Sequence, residues 1–151
     1  MILRKKKEQE RFIRFAIVGS IGAVIDIGIF NFASSFLKIP ALTAQAISFS
    51  VAVISNFLWN RYWTYPDSRN KAVVNQLIQF VFVSLIGLAV RTLIFDRLEE
   101  AMIWSATQIL PSKFLLTPTV VGHNVSLAIV IVVIMFWNFF VNRFWTYNDV
   151  E

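Results

Sequence analysis

Four long apolar stretches constrain what this chain can fold into more than any other feature of its sequence. A helix needs about 20 apolar residues to cross hydrocarbon that is about 30 Å thick. Stretches of this length lie at about 12–37, 42–63, 77–95 and 119–145, and they hold few charged side chains. The sequence therefore predicts an all-α integral membrane protein that crosses the membrane four times.

The overall composition argues against most other classes of protein. Hydrophobic residues make up 57% of the 151 residues and charged residues 15%. A soluble domain carries more charged residues, about 25%, and a disordered chain has a lower hydrophobic content than this one. The absence of cysteine and the presence of one histidine leave no disulfide framework, no thiolate site and little for a histidine cluster. The sequence also has no glycine-rich phosphate loop. We therefore expect no enzyme activity, no metal site and no cofactor.

The basic residues predict the orientation of the chain, because short cytoplasmic loops are enriched in lysine and arginine. With four spans, both chain ends and the middle loop lie on the same side. That side holds most of the basic residues: Arg4, Lys5, Lys6, Lys7, Arg11, Arg14, Arg61, Arg69, Lys71 and Arg143. The other side holds Lys38, Arg97 and Lys113. We predict that both termini are cytoplasmic and that the protein lies in the cell (inner) membrane.

The chain divides into a basic cytoplasmic arm, residues 1–11, and a single membrane domain, residues 12–151. A basic run can indicate nucleic-acid binding, but beside a membrane span it favours an anchor to anionic lipid. We therefore expect membrane lipids, and not nucleic acid, as partners. A tight turn is predicted at 38–40. The longest connection, 96–118, fits either a loop or a short interfacial helix at 99–110.

The second and fourth stretches end in nearly the same sequence. Residues 60–65 read Asn-Arg-Tyr-Trp-Thr-Tyr and residues 142–147 read Asn-Arg-Phe-Trp-Thr-Tyr, at an offset of 82. The first and third stretches match at an offset of 65, for example at Gly22 and Gly87. We therefore predict a four-helix bundle built from two two-span repeats in parallel orientation. The repeats lie at about 12–67 and 77–149.

These motifs resemble those of the GtrA-like family. The resemblance covers about residues 11–149 and rests on Arg-Phe-Ala-Ile-Val-Gly at 14–19, the acid Asp26, Asn-Phe at 56–57 and the Asn-Arg-x-Trp-Thr motif at 60–64. It implies a four-helix bacterial or archaeal membrane protein associated with cell-surface glycosylation. It further implies translocation of monosaccharides linked to undecaprenyl or another polyprenyl phosphate, often beside a membrane glycosyltransferase.

Two charged residues, Asp26 and Arg91, lie deep within predicted spans. Charges at that depth cost several kcal/mol unless they are paired or hydrated, so they usually face a protein interior or an aqueous cavity. The two positions are 65 residues apart and are therefore equivalent in the predicted repeats. We predict an Asp26–Arg91 ion pair near the middle of the membrane. Two roles fit it: a static pair that fixes helix register, or a gate or polar lining for a sugar head group.

Asparagines and arginines complete the candidate substrate site: Asn56, Asn60, Arg61, Asn138, Asn142 and Arg143. The asparagines form two pairs, each one helical turn apart and therefore on one helix face. Their amides suit either hydrogen bonds between helices or contacts to sugar hydroxyls. The arginines suit bidentate contacts to phosphate, although the helix dipole and the positive-inside rule also account for arginines at span ends.

The aromatic residues beside the two arginines are typical of a membrane interface, where amphipathic rings reach the head groups. We predict that they anchor the spans there. They are Trp63, Tyr65, Trp145 and Tyr147.

The leading functional prediction is a flippase-type translocase for polyprenyl-phosphate-linked monosaccharides, with a polar groove that opens to one leaflet and then to the other. Since four helices enclose little volume, we expect a homo-oligomer or a partner protein. The alternative is a non-transporting anchor or accessory subunit of a membrane glycosyltransferase. A small proton-coupled exporter is less favoured, because such a pump needs an unpaired titratable acid.

Overall fold

The computed structural model describes residues 6–68, 71–111 and 115–150. Within these ranges the chain is helical and contains no strand. Arg4, Lys5, Arg69 and Lys113, which contributed to the predicted orientation, lie outside the described residues, as do positions 1–5 of the predicted arm.

Four long helices follow one another along the chain, and each is long and apolar enough to cross a membrane. Three of them continue into a five-residue π-helical turn, in which the backbone hydrogen bonds span one residue more than in an α-helix. This confirms the predicted all-α, multi-pass membrane protein. The repeat and the location of the termini stay predictions. The helices are α1 (Lys6–Asn31, then the π-turn Phe32–Phe36), α2 (Ala41–Trp59, then Asn60–Thr64), α3 (Val73–Ile109) and α4 (Pro118–Val141, then Asn142–Thr146).

The third helix extends well beyond the predicted span. Instead of ending at about 95 and being followed by a loop or a separate helix at 99–110, α3 continues without a break to Ile109. The charged pair at 96 and 97 lowers the hydropathy, but neither glycine nor proline occurs between 95 and 110. Hydropathy therefore marks where the apolar residues end. The helix itself continues to just before Pro111, because proline disfavours helical geometry in the residue that precedes it.

The first helix also begins earlier than its apolar stretch. It starts at Lys6, so the described part of the predicted arm is helical. Its first turns contain Lys, Glu, Gln and Arg, which are good helix formers although they are polar. The predicted turn between α1 and α2 is confirmed. It contains Lys38 at a φ of 58°, and the Ile39 amide donates to the Ala33 carbonyl at 3.0 Å, as at many helix ends that pass through a left-handed residue.

The described residues form two compact units. The first unit comprises Met1–Phe82 and Val141–Glu151. In it α1 packs against α2, and buried Gly22 lies where a methyl group would overlap the amide of Asn56. Side chains such as Ile13 and Val24 are more than half exposed on α1, which in a membrane protein is the surface that lipid covers.

The second unit comprises Val83–Phe140. Gly87 faces Asn138 here: a methyl group on Gly87 would lie 3.1 Å from Asn138 Oδ1. The predicted repeat relates this glycine–asparagine contact to the one in the first unit. Gly122 of α4 lies against Ile103 of α3, and His123 Nδ1 is 2.7 Å from Glu99 Oε1. These contacts attach the C-terminal part of α3 to α4.

Candidate functional site

A cluster of polar and charged side chains gathers in the first unit where the helices begin and end; we call it the polar cap. The two π-turns at Asn60–Thr64 and Asn142–Thr146 form one part of it. In each turn the amide of the next residue donates to the carbonyl of the first asparagine at 2.8 Å. The near-identical sequences at 60–65 and 142–147 therefore adopt the same backbone. The polar cap consists of Glu8, Arg11, Arg61, Asp67, Ser68, Lys71, Gln76, Arg143 and Asp149.

The tyrosines that follow the two π-turns meet each other. Tyr65 and Tyr147 are fully buried, and their rings stack with centroids 4.3 Å apart and planes 15° apart. They contact protein, so they do not reach head groups as the predicted interfacial anchors would. Trp63 and Trp145 are 36% and 41% exposed, which suits an interfacial position. The sequence alone does not separate these roles, because all four residues are aromatic and lie at the ends of spans.

Burial in this stack changes the chemistry of the two phenols. It raises the pKa of Tyr65 and, with the neighbouring Tyr65 as a further cause, the pKa of Tyr147 well above the ordinary value of 10.0. Neither hydroxyl has a hydrogen-bond partner within the described ranges. The fold therefore favours the neutral form of both side chains.

We expect the protein to lose stability as the pH rises above about 10. The unfolded chain then releases phenolic protons that the folded chain retains, which costs about 1.4 kcal/mol per tyrosine at pH 11. Tyr147→Phe removes one such group and its unpartnered hydroxyl, so its unfolding midpoint in detergent should fall less between pH 8 and pH 11 than that of the unmodified protein. Tyr62→Phe, which removes a 55% exposed phenol, is the control. An equal fall in all three proteins would contradict the prediction.

A buried carboxylate, that of Glu8, holds Arg143 and Arg11 together. Arg143 Nε donates to both carboxylate oxygens of Glu8 at 3.2 Å, and its Nη2 donates to Oε1 at 3.2 Å. Arg11 Nη1 donates to the same Oε1 at 2.5 Å, while its Nη2 lies 3.4 Å from Asp67 Oδ2. The Arg11 guanidinium also lies over the ring of Tyr65, 5.8 Å from its centroid. Arg143, predicted to contact phosphate, is therefore already paired inside the protein.

Arg61 has a different environment, although it occupies the equivalent place in its π-turn. It is only 4% exposed, and its Nη2 donates to the Lys71 carbonyl at 3.2 Å. Its Nε and Nη1 have no hydrogen-bond partner among the residues that the structure describes, and no carboxylate there pairs with it. The guanidinium therefore has N–H groups from which an anion can accept hydrogen bonds.

The predicted asparagines occupy two environments. Asn56 and Asn60 each have a buried Oδ1 without a hydrogen-bond partner in the described part of the chain, and the same holds for Thr64 Oγ1. These three residues follow one another at intervals of four and form one row along α2 and its π-turn. Asn142 Oδ1, by contrast, accepts a 2.8 Å hydrogen bond from Thr146. Asn138 lies in the second unit, against Gly87.

The two predicted charges of the spans lie in different units. Asp26 is half-buried on α1, and its Oδ1 is buried without a hydrogen-bond partner among the described residues. Arg91 is exposed on α3. Their pairing stays a prediction.

Sequence reasoning missed four polar-cap residues as members of the site: Ser68, Lys71, Gln76 and Asp149. Gln76 Nε2 donates to Ser68 Oγ at 2.6 Å and to the Thr146 carbonyl at 3.3 Å. Ser68 Oγ donates to Asp149 Oδ1 at 2.6 Å, and the Lys71 ammonium contacts Asn148. One signal was available: an aspartate follows both copies of the motif, at 67 and 149. The spacing of Glu8 and Arg11, one helical turn apart, was a second signal.

The chemistry of these groups suits an anionic, hydroxyl-bearing ligand. Within the described residues, no group of three or more histidine, aspartate or glutamate side chains is placed to hold a metal. The unpartnered atoms are guanidinium donors and amide, hydroxyl and carboxylate oxygens. Guanidinium groups bind phosphate well, and amide and carboxylate oxygens accept hydrogen bonds from hydroxyls.

Comparison with known proteins places the chain in a family. Over 94 residues it is 28% identical to a protein of Pyrococcus furiosus named dolichol-phosphate mannosyltransferase. The aligned residues make up 62% of this chain and 26% of that protein. The chain thus spans about a quarter of the length of that relative. Over 136 residues it is 26% identical to the uncharacterized membrane protein YngA of Bacillus subtilis, covering 90% of this chain and 78% of that one.

The family resemblance noted in the motifs is confirmed by a match over most of the chain. Residues 14–147 match the family model described as "GtrA/DPMS, transmembrane domain". This range contains both copies of the Asn-Arg-x-Trp-Thr motif and nearly all of the four apolar stretches. The chain belongs to the GtrA/DPMS transmembrane domain family.

Proposed function

We propose that this protein translocates polyprenyl-phosphate-linked monosaccharides across the cell membrane. The family, together with the relative named as a dolichol-phosphate mannosyltransferase, supports a membrane protein tied to lipid-linked sugars. The proposal comprises three statements: that the protein acts as a flippase, that both termini are cytoplasmic, and that this chain has no catalytic activity.

One observation carries the proposal: buried, unpartnered oxygens on helices that span the membrane. Asp26 Oδ1 and Asn56 Oδ1 have no hydrogen-bond partner among the described residues. A polar group buried without a partner costs free energy in any apolar environment, and the cost is high in a membrane. A sugar head group supplies hydroxyl donors for these acceptors, so a passing ligand offsets the cost.

Translocation requires such groups to be available rather than permanently satisfied. The head group is polar and must leave water, whereas the polyprenyl tail remains in lipid throughout. Weak, exchangeable hydrogen bonds along the spans lower the barrier for the head group without trapping it. We propose that Asp26, Asn56 and Asn60 supply acceptors along α1 and α2, and that Arg91 and Asn138 serve the second repeat.

A reconstituted flipping assay tests the function. Purified protein in liposomes should speed the movement of a fluorescent polyprenyl-phosphate-linked monosaccharide between leaflets, relative to protein-free liposomes. Asp26→Leu should reduce the rate at least about tenfold, the effect of losing roughly 1.4 kcal/mol of barrier stabilisation, and it should still fold because Oδ1 has no partner to lose. Asn31→Leu, which removes an exposed amide from the same helix, is the matched control.

The outcome also separates the second candidate function, a non-transporting anchor or accessory subunit of a membrane glycosyltransferase. The similarity to part of a mannosyltransferase favours that candidate. An anchor gives no flipping above the protein-free rate, but it co-purifies with the glycosyltransferase and raises the activity of that enzyme. Absence of flipping by well-folded protein would exclude the translocase.

A further inference from the structure

Two equivalent arginines differ in whether the protein itself supplies their anion. Arg143 is paired with the Glu8 carboxylate at 3.2 Å. In the other repeat, the 65-residue offset makes Val73 the equivalent of Glu8. Val73 is apolar and 44% exposed. Arg61 accordingly keeps Nε and Nη1 without a partner in the described ranges. One of the two sites is closed by an internal carboxylate, and the other is not.

The neighbouring asparagine and threonine show the same difference. In the second π-turn, Thr146 donates to Asn142 Oδ1 at 2.8 Å. In the first π-turn, Asn60 Oδ1 and Thr64 Oγ1 are buried and unpartnered as far as the structure describes the chain. Both turns have the same type of backbone conformation, so the difference lies in the hydrogen bonds of the side chains.

From these two differences between the motif copies we propose that Asn60, Arg61 and Thr64 form the binding site for the phosphate-bearing head group. The equivalent residues Asn142, Arg143 and Thr146 stabilise the fold. The inference rests on the proposed function for the identity of the lipid. The anion is a phosphate ester: its oxygens accept hydrogen bonds from the Arg61 guanidinium. Asn60 Oδ1 and Thr64 Oγ1 accept hydrogen bonds from a hydroxyl of the attached sugar.

The environment of Arg61 defines which contact a ligand has to replace. The guanidinium is 4% exposed, and among the described residues it makes one hydrogen bond, to the Lys71 carbonyl. A single neutral acceptor is a weak partner for a cation, and phosphate is a stronger one. Binding therefore replaces the Lys71 carbonyl with a phosphate oxygen as the acceptor for Arg61.

Binding measurements on the full-length protein in nanodiscs test the proposal. The probes are a long-chain polyprenyl monophosphate, the matching polyprenol without phosphate, and inorganic phosphate. Arg61→Gln should weaken binding of the polyprenyl monophosphate about tenfold to hundredfold, the value of a charge-assisted hydrogen bond. Arg143→Gln should lower the thermal unfolding midpoint and leave the affinity within about threefold of the unmodified protein.

Two further changes keep the test decisive if an arginine variant does not fold. Val73→Glu places a carboxylate at the position equivalent to Glu8, so it should weaken binding as an internal competitor for Arg61 while the protein stays folded. Thr64→Val should also weaken binding of a polyprenyl-phosphate-linked monosaccharide, whereas Thr146→Val should reduce only the unfolding midpoint. Equal losses of affinity in Thr64→Val and Thr146→Val, or unchanged affinity in Arg61→Gln and Val73→Glu, would overturn the proposal.

The probes also separate this site from the wider function. Tight binding of the polyprenyl monophosphate with no binding of the polyprenol supports the site, whether or not the protein flips lipids. Inorganic phosphate that binds at Arg61 as tightly as the lipid supports the site as well, but it identifies a free anion as the ligand and counts against lipid-linked sugar transport. Absence of binding by every probe overturns the site.

Discussion

Glu8→Gln should lower the free energy of unfolding by about 3–5 kcal/mol, the range measured when one partner of a buried ion pair is removed. The Glu8 side chain is 6% exposed, and its partners Arg11 and Arg143 are 4% and 14% exposed. Glutamine keeps the size of the side chain but removes the charge that both guanidiniums share. Two buried cations then lie near each other without their common anion, and repulsion between them adds to the lost attraction.

Thermal or denaturant unfolding of the purified protein in detergent measures this effect. Glu10→Gln is the matched control, because Glu10 is exposed on the same helix two residues away and exposed charges contribute little to stability. We expect the control to unfold with the midpoint of the unmodified protein. If Glu8→Gln were as stable as the control, the ion pairs of Glu8 with Arg11 and Arg143 would not contribute to the stability of the fold.

The second large effect concerns Gly122, in the second unit. Gly122→Ala should destabilise the protein by about 1–3 kcal/mol through overpacking. The added methyl group would lie 2.6 Å from the Cα, the backbone nitrogen and the Cγ1 of Ile103. Backbone atoms cannot move aside as a flexible side chain can, so α3 and α4 must separate locally. In membrane proteins such small residues permit the close approach of helices.

Gly19→Ala distinguishes this packing effect from the intrinsic preference of alanine for helices. Nothing lies within 4 Å of a methyl group added at Gly19, so the substitution should stabilise α1 by up to about 1 kcal/mol. The two glycine-to-alanine changes should therefore shift the unfolding midpoint in opposite directions. Shifts of the same sign would show that close helix packing at Gly122 does not contribute to stability.

The prediction for Glu8 reflects a difference between the two copies of the repeated motif. One copy of the Asn-Arg-x-Trp-Thr sequence is satisfied from within the protein, through Glu8 and Thr146. The other copy retains unpartnered donors and acceptors as far as the structure describes them. A sequence repeat provides two equivalent sites, and a single acid outside the motif is enough to close one of them.

The membrane class and the number of helices could be predicted because they depend on properties that are local in sequence. Apolar length determines which segments cross hydrocarbon, and this identified all four helices. Helix ends were predicted less well. The predicted span 77–95 lies within a helix that continues to Ile109, because hydrogen bonding within a helix does not require apolar side chains. Residues such as Lys6 and Glu99 are polar and helical at once.

The candidate site was only partly predictable. The repeat identified Asn60, Arg61, Asn142 and Arg143 as chemically interesting residues, but it made the two arginines equivalent. Glu8 was missed since it lies 135 residues from Arg143 in the chain. The sequence predicts Tyr65 and Tyr147 as interfacial anchors, because an aromatic residue at a span end has the same sequence signature whether it faces lipid or another ring.

The order of the residues is therefore enough to predict an all-helical membrane protein with four spans and a repeated polar motif at two span ends. Which polar groups have partners follows from the folded structure, since hydrogen bonds and ion pairs depend on distances between residues that are far apart in the chain. The contact between Glu8 and Arg143, the stack of Tyr65 on Tyr147 and the unpartnered guanidinium of Arg61 all arise in that way.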